Sequence, residues 1–241
     1  MTSKSNDFQK SSPLLFEKSF EKIAQDVISN HLGDDSLLIG LGSGRAVSKI
    51  VNNLSESVVS RCEFICTSLQ IKMDAEKKGL KILDETKIPY IDLVIDGADQ
   101  IDNKFHLLKG GGGALLREKI LYYASGKTII VADSSKFVTV FSKSIPIEIL
   151  PFGRNAVISL LKQLGTEPKL RVLDKGYPYM TENGNLILDT IPNRHEDVDT
   201  ISLEKEINNI PGVLENGLFT MPPTVCYKAL EDGAFQSFST R

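Results

Sequence analysis

The chain has 241 residues, with 28 basic and 31 acidic side chains and a formal net charge of −3. That near-balance excludes a nucleic-acid surface as its main business, and apolar runs such as Leu37-Leu38-Ile39 are far too short to span a bilayer. Hydrophobic content of 41% and charged content of 24% are those of a soluble globular protein with an ample core.

Met1 to Ser12 is polar and Ser/Lys-rich, and residues 1–16 are expected to be a disordered segment. No signal-peptide core is visible at the start, which favours the cytoplasm, or a plastid if a longer leader was removed. Phe20, Ile23, Ala24, Val27 and Ile28 recur at helical spacing, so Glu17 to about Asn30 reads as an amphipathic helix. Ser36 to Gly40 reads as a strand, Gly40-Leu41-Gly42-Ser43-Gly44 as a turn, and Ala46 to Leu54 as a helix. Glu63 to Thr67 is a second strand, followed by a charged helix through Lys78. Ile91 to Asp96 and Thr128 to Asp133 are further strands. Strands alternating with helices imply an α/β fold: a Rossmann-like, mostly parallel sheet with helices on both faces. After Pro151 the pattern changes to a helix (Asn155 to Leu164), strands (Lys169 to Leu173 and Leu186 to Thr190, the second after the Glu182-Asn183-Gly184-Asn185 turn) and a helix (Ser202 to Asn209). We expect a smaller α+β domain over 151–212 and a Rossmann-like catalytic domain over 17–150, completed by 213–241. In this reading Val213 to Phe219 returns to the first sheet.

Ligands of open parallel sheets bind outside the carboxyl ends of the strands, and four segments stand there. Gly40-Leu41-Gly42-Ser43-Gly44-Arg45 resembles a phosphate cradle at a helix start; a plain tight turn is its simpler reading. It is a poor dinucleotide fingerprint, because Arg45 takes the place of the third glycine, so a nicotinamide-dependent dehydrogenase is disfavoured. Asp96-Gly97-Ala98-Asp99 brings two carboxylates to one strand end, where a capped turn is the alternative. Lys109-Gly110-Gly111-Gly112-Gly113 then feeds a helix carrying Glu118, and a backbone held that close to an anionic oxygen suits such a run. Asp133-Ser134-Ser135-Lys136 closes the set; alone, Lys136 reads as a solvated loop lysine.

Three side issues carry plainer readings. Cys62, Cys66 and Cys226 are expected to be buried and reduced. His31, His106 and His195 have no metal-ligand spacing, and His106 reads as structural rather than pocket-lining. Arg117 and Lys119 flank Glu118 and are expected on a solvated or interface face.

Taken in order, these four segments, with Arg117-Glu118-Lys119, Asn183-Gly184-Asn185 and Ile210-Pro211-Gly212-Val213, resemble type A ribose-5-phosphate isomerase from about Glu17 to Phe219. The resemblance implies an aldose–ketose isomerase interconverting D-ribose 5-phosphate and D-ribulose 5-phosphate through an enediolate. It implies no metal or organic cofactor, a sugar phosphate as partner, and a homodimer or homotetramer. By the family's pattern Glu118 is the C1/C2 base, Asp96 and Asp99 handle hydroxyl protons and ring opening, and Lys109 steadies the oxyanion. Gly42, Ser43, Gly44, Arg45, Ala46, Gly97, Ala98, Gly110, Gly111, Gly112, Gly113 and Lys136 would bind substrate. The chain departs from the pattern at the phosphate turn, where Arg45-Ala46 replaces Ser-Thr. It departs also on the first helix, where Glu21 stands, beside Lys22 and one turn after Lys18, in the place of a phosphate-binding lysine. Gln100 replaces an acidic residue, and Met221-Pro222-Pro223-Thr224 leaves the usual ending. A divergent isomerase of another sugar phosphate, or a non-catalytic sugar-phosphate-binding protein, is the alternative.

Overall fold

The structure, a computed structural model, describes residues 16–84, 86, 90–192 and 199–240. Most of the expected disordered segment lies outside the described residues, as does His195, but Phe16 is buried. Helix α1 (Glu17–His31) buries Phe20, Ile23, Ala24 and Val27, the stripe its spacing predicts. Strand β1 (Leu38–Leu41), α2 (Arg45–Asn53), the short α3 (Glu56–Arg61), β2 (Glu63–Cys66) and α4 (Leu69–Lys77) follow. Helix α3 was not legible as a separate element; it is six residues long and starts on a Ser55 cap that accepts from Val58 N–H. Next come β3 (Ile91–Asp96), β4 (Gln100–Ile101), β5 (Leu107–Leu108), α5 (Leu115–Ala124), β6 (Ser125–Asp133) and β7 (Ile145–Ile149). The remainder is α6 (Arg154–Gln163), β8 (Lys169–Leu170), β9 (Leu186–Thr190), α7 (Thr200–Asn208), β10 (Val213–Asn216), β11 (Leu218–Phe219), β12 (Val225–Ala229) and β13 (Phe235–Ser239).

Six strands form the main sheet in the order β13-β12-β6-β3-β1-β2. All neighbours run parallel except β12 and β13. One face packs its Ile39, Leu93, Ile95, Ile129 and Val131 against α1 to α4. The other is covered by α5, through Leu121 and Tyr122, and by a three-stranded sheet β11-β5-β4. A separate antiparallel sheet, β10-β7-β9-β8, carries α6 and α7 on its own core of Ile145, Ile147, Val157, Leu161, Leu188 and Ile207.

Two expectations change. Val213 to Phe219 does not return to the main sheet: β10 pairs with β7, and β11 with β5. The reason is local, because Gly217 donates to Pro146 O and accepts from Lys109 N–H, each at 2.8 Å. A Cβ on Gly217 would stand 2.2 Å from the Lys109 carbonyl oxygen, so only glycine permits this stitch. Strands β12 and β13 complete the main sheet instead, and β7, numbered within the first segment, belongs to the second sheet.

The second correction concerns Lys119. It does not face solvent; it is buried, with Nζ 2.7 Å from Glu204 Oε1 and 2.8 Å from Glu215 Oε1. The ammonium also lies 4.8 Å from the centre of the Phe219 ring. It therefore bolts α5 to α7 and β10. Removing one member of a buried charge cluster strands the others. Lys119→Met is expected to cost about 3 kcal/mol of stability, read as a lower urea midpoint; a loss under about 1 kcal/mol would show the cluster to be solvated like a surface pair.

Candidate active site

Each charged group at the centre of the site is delivered by an element end. Asp96 is the last residue of β3, Lys109 follows β5, and Glu118 lies in the first turn of α5. The carboxyl end of β1 supplies Gly42, Ser43 and Gly44, and that of β6 supplies Asp133. Ser43, Gly44, Lys109, Glu118 and Asp133 line a cavity of about 560 Å³ above the strand ends, the position expected for an open parallel sheet; the predicted Asp96 is not in that lining but buried behind it, against Lys109.

The Lys109 ammonium sits 2.9 Å from Asp96 Oδ2 and 3.3 Å from Glu118 Oε2, and donates to the Gly97 carbonyl at 2.5 Å. All three side chains are buried. Glu118 Oε1 accepts from the Ser43 hydroxyl at 2.5 Å, and Asp96 Oδ1 accepts from Gly97 N–H at 2.7 Å. The two oxygens that face the ammonium, Asp96 Oδ2 and Glu118 Oε2, receive no well-directed hydrogen bond. Both oxygens are buried against the ammonium, so Lys109 is their charge partner. Asp99 accepts from Gly111 N–H at 2.7 Å and thus ties the glycine loop to the end of β3.

The electrostatics follow from two carboxylates sharing one cation. Burial pushes the Asp96 carboxyl up to about 7; Lys109 opposes that and Glu118 adds to it. Burial works against the Lys109 charge, but Asp96, Glu118 and Asp99 outweigh it and hold the ammonium above its usual range. A firmly charged lysine beside a carboxyl that can gain or lose a proton near neutrality is an arrangement for acid–base chemistry with oxyanion stabilisation.

The cavity lining includes Ser43, Gly44, Arg45, Ala46, Gly97, Ala98, Asp99, Lys109, Gly110, Gly111, Gly112, Glu118 and Lys136. Two expected binding residues lie elsewhere. Gly42 sits beneath the cavity: a Cβ there would overlap the Asp96 carboxylate at 1.8 Å, so its glycine makes room for Asp96. Gly113 is turned toward Tyr179, whose hydroxyl a Cβ would meet at 2.2 Å. Lys136, on a single turn capped by Asp133, does reach the cavity rather than standing in a solvated loop. From α1, Phe20 lines the site, and Arg45 lies 6.0 Å from its ring centre. Lys18, Glu21 and Lys22 do not line it.

Gln70 and Glu182 line the cavity and escaped sequence reasoning. The Gln70 amide accepts from Gly44 N–H at 3.2 Å, and Glu182 accepts from Leu69 N–H at 2.8 Å and pairs with Arg117 at 3.0 Å. Gln70 stands in no motif and Glu182 reads only as the first residue of a turn, and their partners are distant in sequence. Arg117 thus has a definite partner on the turn after Thr181 rather than a solvated face. His106 is structural as expected, its Nδ1 3.0 Å from Asp102 Oδ2, and Gln100 bonds Ser142 and Lys143 rather than the cavity.

Fold and cavity together define the class, an α/β enzyme whose site does acid–base chemistry at the strand ends. Residues 63–233 match the family model of ribose 5-phosphate isomerase A (phosphoriboisomerase A). The chain is 34% identical over 220 residues to the ribose-5-phosphate isomerase A of Methanosarcina acetivorans, covering 90% of this chain and 93% of that one. Its structure resembles that of ribose 5-phosphate isomerase A from Methanocaldococcus jannaschii, with a TM-score of 0.82, 31% identity, and coverage of 93% and 98% of the two chains. It also resembles a D-ribose-5-phosphate isomerase in complex with phospho-erythronic acid, with a TM-score of 0.83, 30% identity, and coverage of 92% and 97%. This chain belongs to the ribose 5-phosphate isomerase A family.

The glycine loop offers a clean test of where substrate lies. A Cβ on Gly112 would meet nothing within 4 Å, and its backbone is not in the left-handed region. A methyl there would change the cavity wall without straining the fold. Gly112→Ala is expected to keep the thermal midpoint within about 2 °C while weakening sugar-phosphate binding at least tenfold by titration calorimetry; unchanged binding would place the ligand away from the loop.

Proposed function

We propose that this chain interconverts D-ribose 5-phosphate and D-ribulose 5-phosphate through an enediolate, with Glu118 as the base. The reading is carried by one observation: two buried carboxylate oxygens, from Asp96 and Glu118, converge on a single lysine ammonium at 2.9 and 3.3 Å. Membership of the family and the relative solved with phospho-erythronic acid support the substrate class.

In the forward direction the open-chain aldose presents C1 as an aldehyde and C2 with its hydrogen. Glu118 removes the C2 proton, the C2–H electron pair becomes the C1–C2 double bond, and the carbonyl pair moves onto O1. Lys109 meets that charge, and the glycine-loop N–H groups add dipoles without a cost of reorganisation. The O2 proton leaves and the O1 oxygen gains one, with Asp96 as the relay, since its carboxyl changes protonation near neutrality. Glu118 returns its proton to C1, leaving the C2 ketone. The Ser43 hydroxyl holds Glu118 Oε1 throughout, so that Oε2 faces the carbons. Asp99, fixed by Gly111 N–H, serves ring opening.

At the other end of the cavity, the first N–H groups of α2, Arg45 and Lys136 hold the phosphate. A guanidinium fork offers paired donors where the family pattern has two hydroxyls. A non-catalytic binder is not favoured, because every group the enediolate route needs is present and converges. The exposed Phe152, at 97%, with Leu150 nearby, supports a homodimer or homotetramer, and we read the cytoplasm as its compartment.

Glu118→Gln in a coupled isomerase assay tests the base. It should bind sugar phosphate within about threefold of the parent and lose on the order of 10³-fold or more in kcat. Turnover within tenfold of the parent would exclude Glu118 from proton transfer.

A further inference from the structure

We infer that Arg171 and Tyr179, which stand behind the glycine loop on the second sheet's side, are positioning residues that aim the Gly112 N–H of the loop at the oxyanion. The inference rests on the isomerase reading above.

The loop carbonyls are pinned from outside. Arg171 Nη1 donates to the carbonyls of Gly110 at 2.9 Å and Gly111 at 3.2 Å, and the Tyr179 hydroxyl donates to that of Gly112 at 3.0 Å. Three successive carbonyls are thus held by two side chains about 60 residues away in sequence. Arg171 is itself fixed by a two-pronged pair with Asp189, at 2.8 Å from Nε and 2.5 Å from Nη2. Its guanidinium lies 5.8 Å from the centre of the Tyr179 ring, and Tyr179 N–H donates to Arg171 O at 3.0 Å. The two residues act as one rigid clamp.

Peptide planarity turns this clamp into an orientation. All described peptides are trans, and in a trans peptide the N–H points opposite to the C=O. Where a carbonyl is drawn toward Arg171, the N–H of the next residue is directed away from it. Gly111 N–H reaches Asp99 Oδ2 at 2.7 Å, and Gly113 N–H closes the turn onto Gly110 O at 3.0 Å. Gly112 N–H, the partner of the carbonyl that Arg171 holds at 3.2 Å, is directed at the cavity that Gly112 lines. A four-glycine run left alone would sample many orientations; the clamp selects the one that presents a donor beside Lys109.

A second cavity shows that the clamp stands apart from substrate. It is lined by Arg171, Val172, Leu173, Asp174, Tyr177 and Tyr179, and the loop, through Gly111, is the wall it shares with the active-site cavity. Neither Arg171 nor Tyr179 lines the active-site cavity. They act through the loop and touch no reacting atom.

The test uses the full chain and four readouts: kcat, KM, thermal midpoint, and affinity for phospho-erythronic acid, whose carboxylate carries negative charge at the end remote from the phosphate, as the enediolate does. Arg171→Met should lower kcat by about 30- to 100-fold, the scale of misplacing a catalytic group by an ångström. KM should stay within about threefold, and phospho-erythronic acid should bind at least tenfold more weakly while inorganic phosphate binds as before. Arg171→Lys should not restore kcat, because an ammonium cannot reach two carbonyls and Asp189 together. Tyr179→Phe removes one hydroxyl only and should lower kcat about three- to tenfold; it carries the test if Arg171→Met does not fold. A kcat within twofold of the parent in the folded variant, or phospho-erythronic acid and phosphate weakened equally, would overturn the inference. Failure of the isomerase reading would show in the parent chain as absent turnover, and the inference would fall with it; failure of the inference alone leaves the parent active.

Discussion

One ammonium placed among buried carboxylates is the constraint on which the rest of this structure turns. Lys109 has to be out of water to be worth much to a developing oxyanion, and out of water it has to be paired. Asp96 and Glu118 supply that pairing, but two carboxylates against one cation leave an excess of negative charge. Burial is what holds the Asp96 carboxyl high, with Lys109 opposing it and Glu118 adding to it. A buried charge group of this kind is weak as a source of stability, since desolvation offsets its attraction. In the isomerase proposed above its value lies in the proton traffic it permits, and the fold bears the cost through cores on either side of the sheet.

The position of Lys109 is set by three sheets at once. Its own strand belongs to the small three-stranded sheet, its N–H bonds Gly217 between the strands that pair with β7 and β5, and its ammonium reaches the end of the main sheet at Gly97. Phe219 lies between it and Lys119, 5.7 Å from the first ammonium and 4.8 Å from the second. Lys119 then anchors the far side of α5 on Glu204 and Glu215. Glu118 on α5 and the Lys109 cation beside it are therefore located by contacts that run well outside the cavity.

This division explains what could be read from the chain. Asp96, Asp99, Lys109 and Glu118 announce themselves because strand ends, a glycine run and a helix start are local patterns. The main parallel sheet was legible for the same reason, through apolar runs such as Ile91 to Asp96. Lys119 was misread because its carboxylate partners lie 85 and 96 residues away. The return of the chain at Val213 was misplaced because only the Gly217–Lys109 stitch decides which sheet it joins. Strand β12 carries a short mixed run that pairs with β6, beside hydrogen bonds between Thr224 and Thr128, 96 residues apart, and β13 pairs with β12. Gln70 and Arg171 belong to no motif, and Glu182 reads only as part of a turn. At the turn after β1 the change to Arg45-Ala46 was visible, while the presence of Phe20 in the cavity lining was not.

The most direct test of the central claim is hydrogen exchange during turnover. Ribose 5-phosphate is converted in D₂O under the parent enzyme, and the ribulose 5-phosphate formed is analysed by NMR for deuterium at C1. Proton transfer by a carboxylate beside the Lys109-held enediolate should place solvent deuterium at C1. Quantitative retention of the substrate's C2 hydrogen at C1, at early and late extents of reaction alike, would mean a direct hydride shift and would contradict the account.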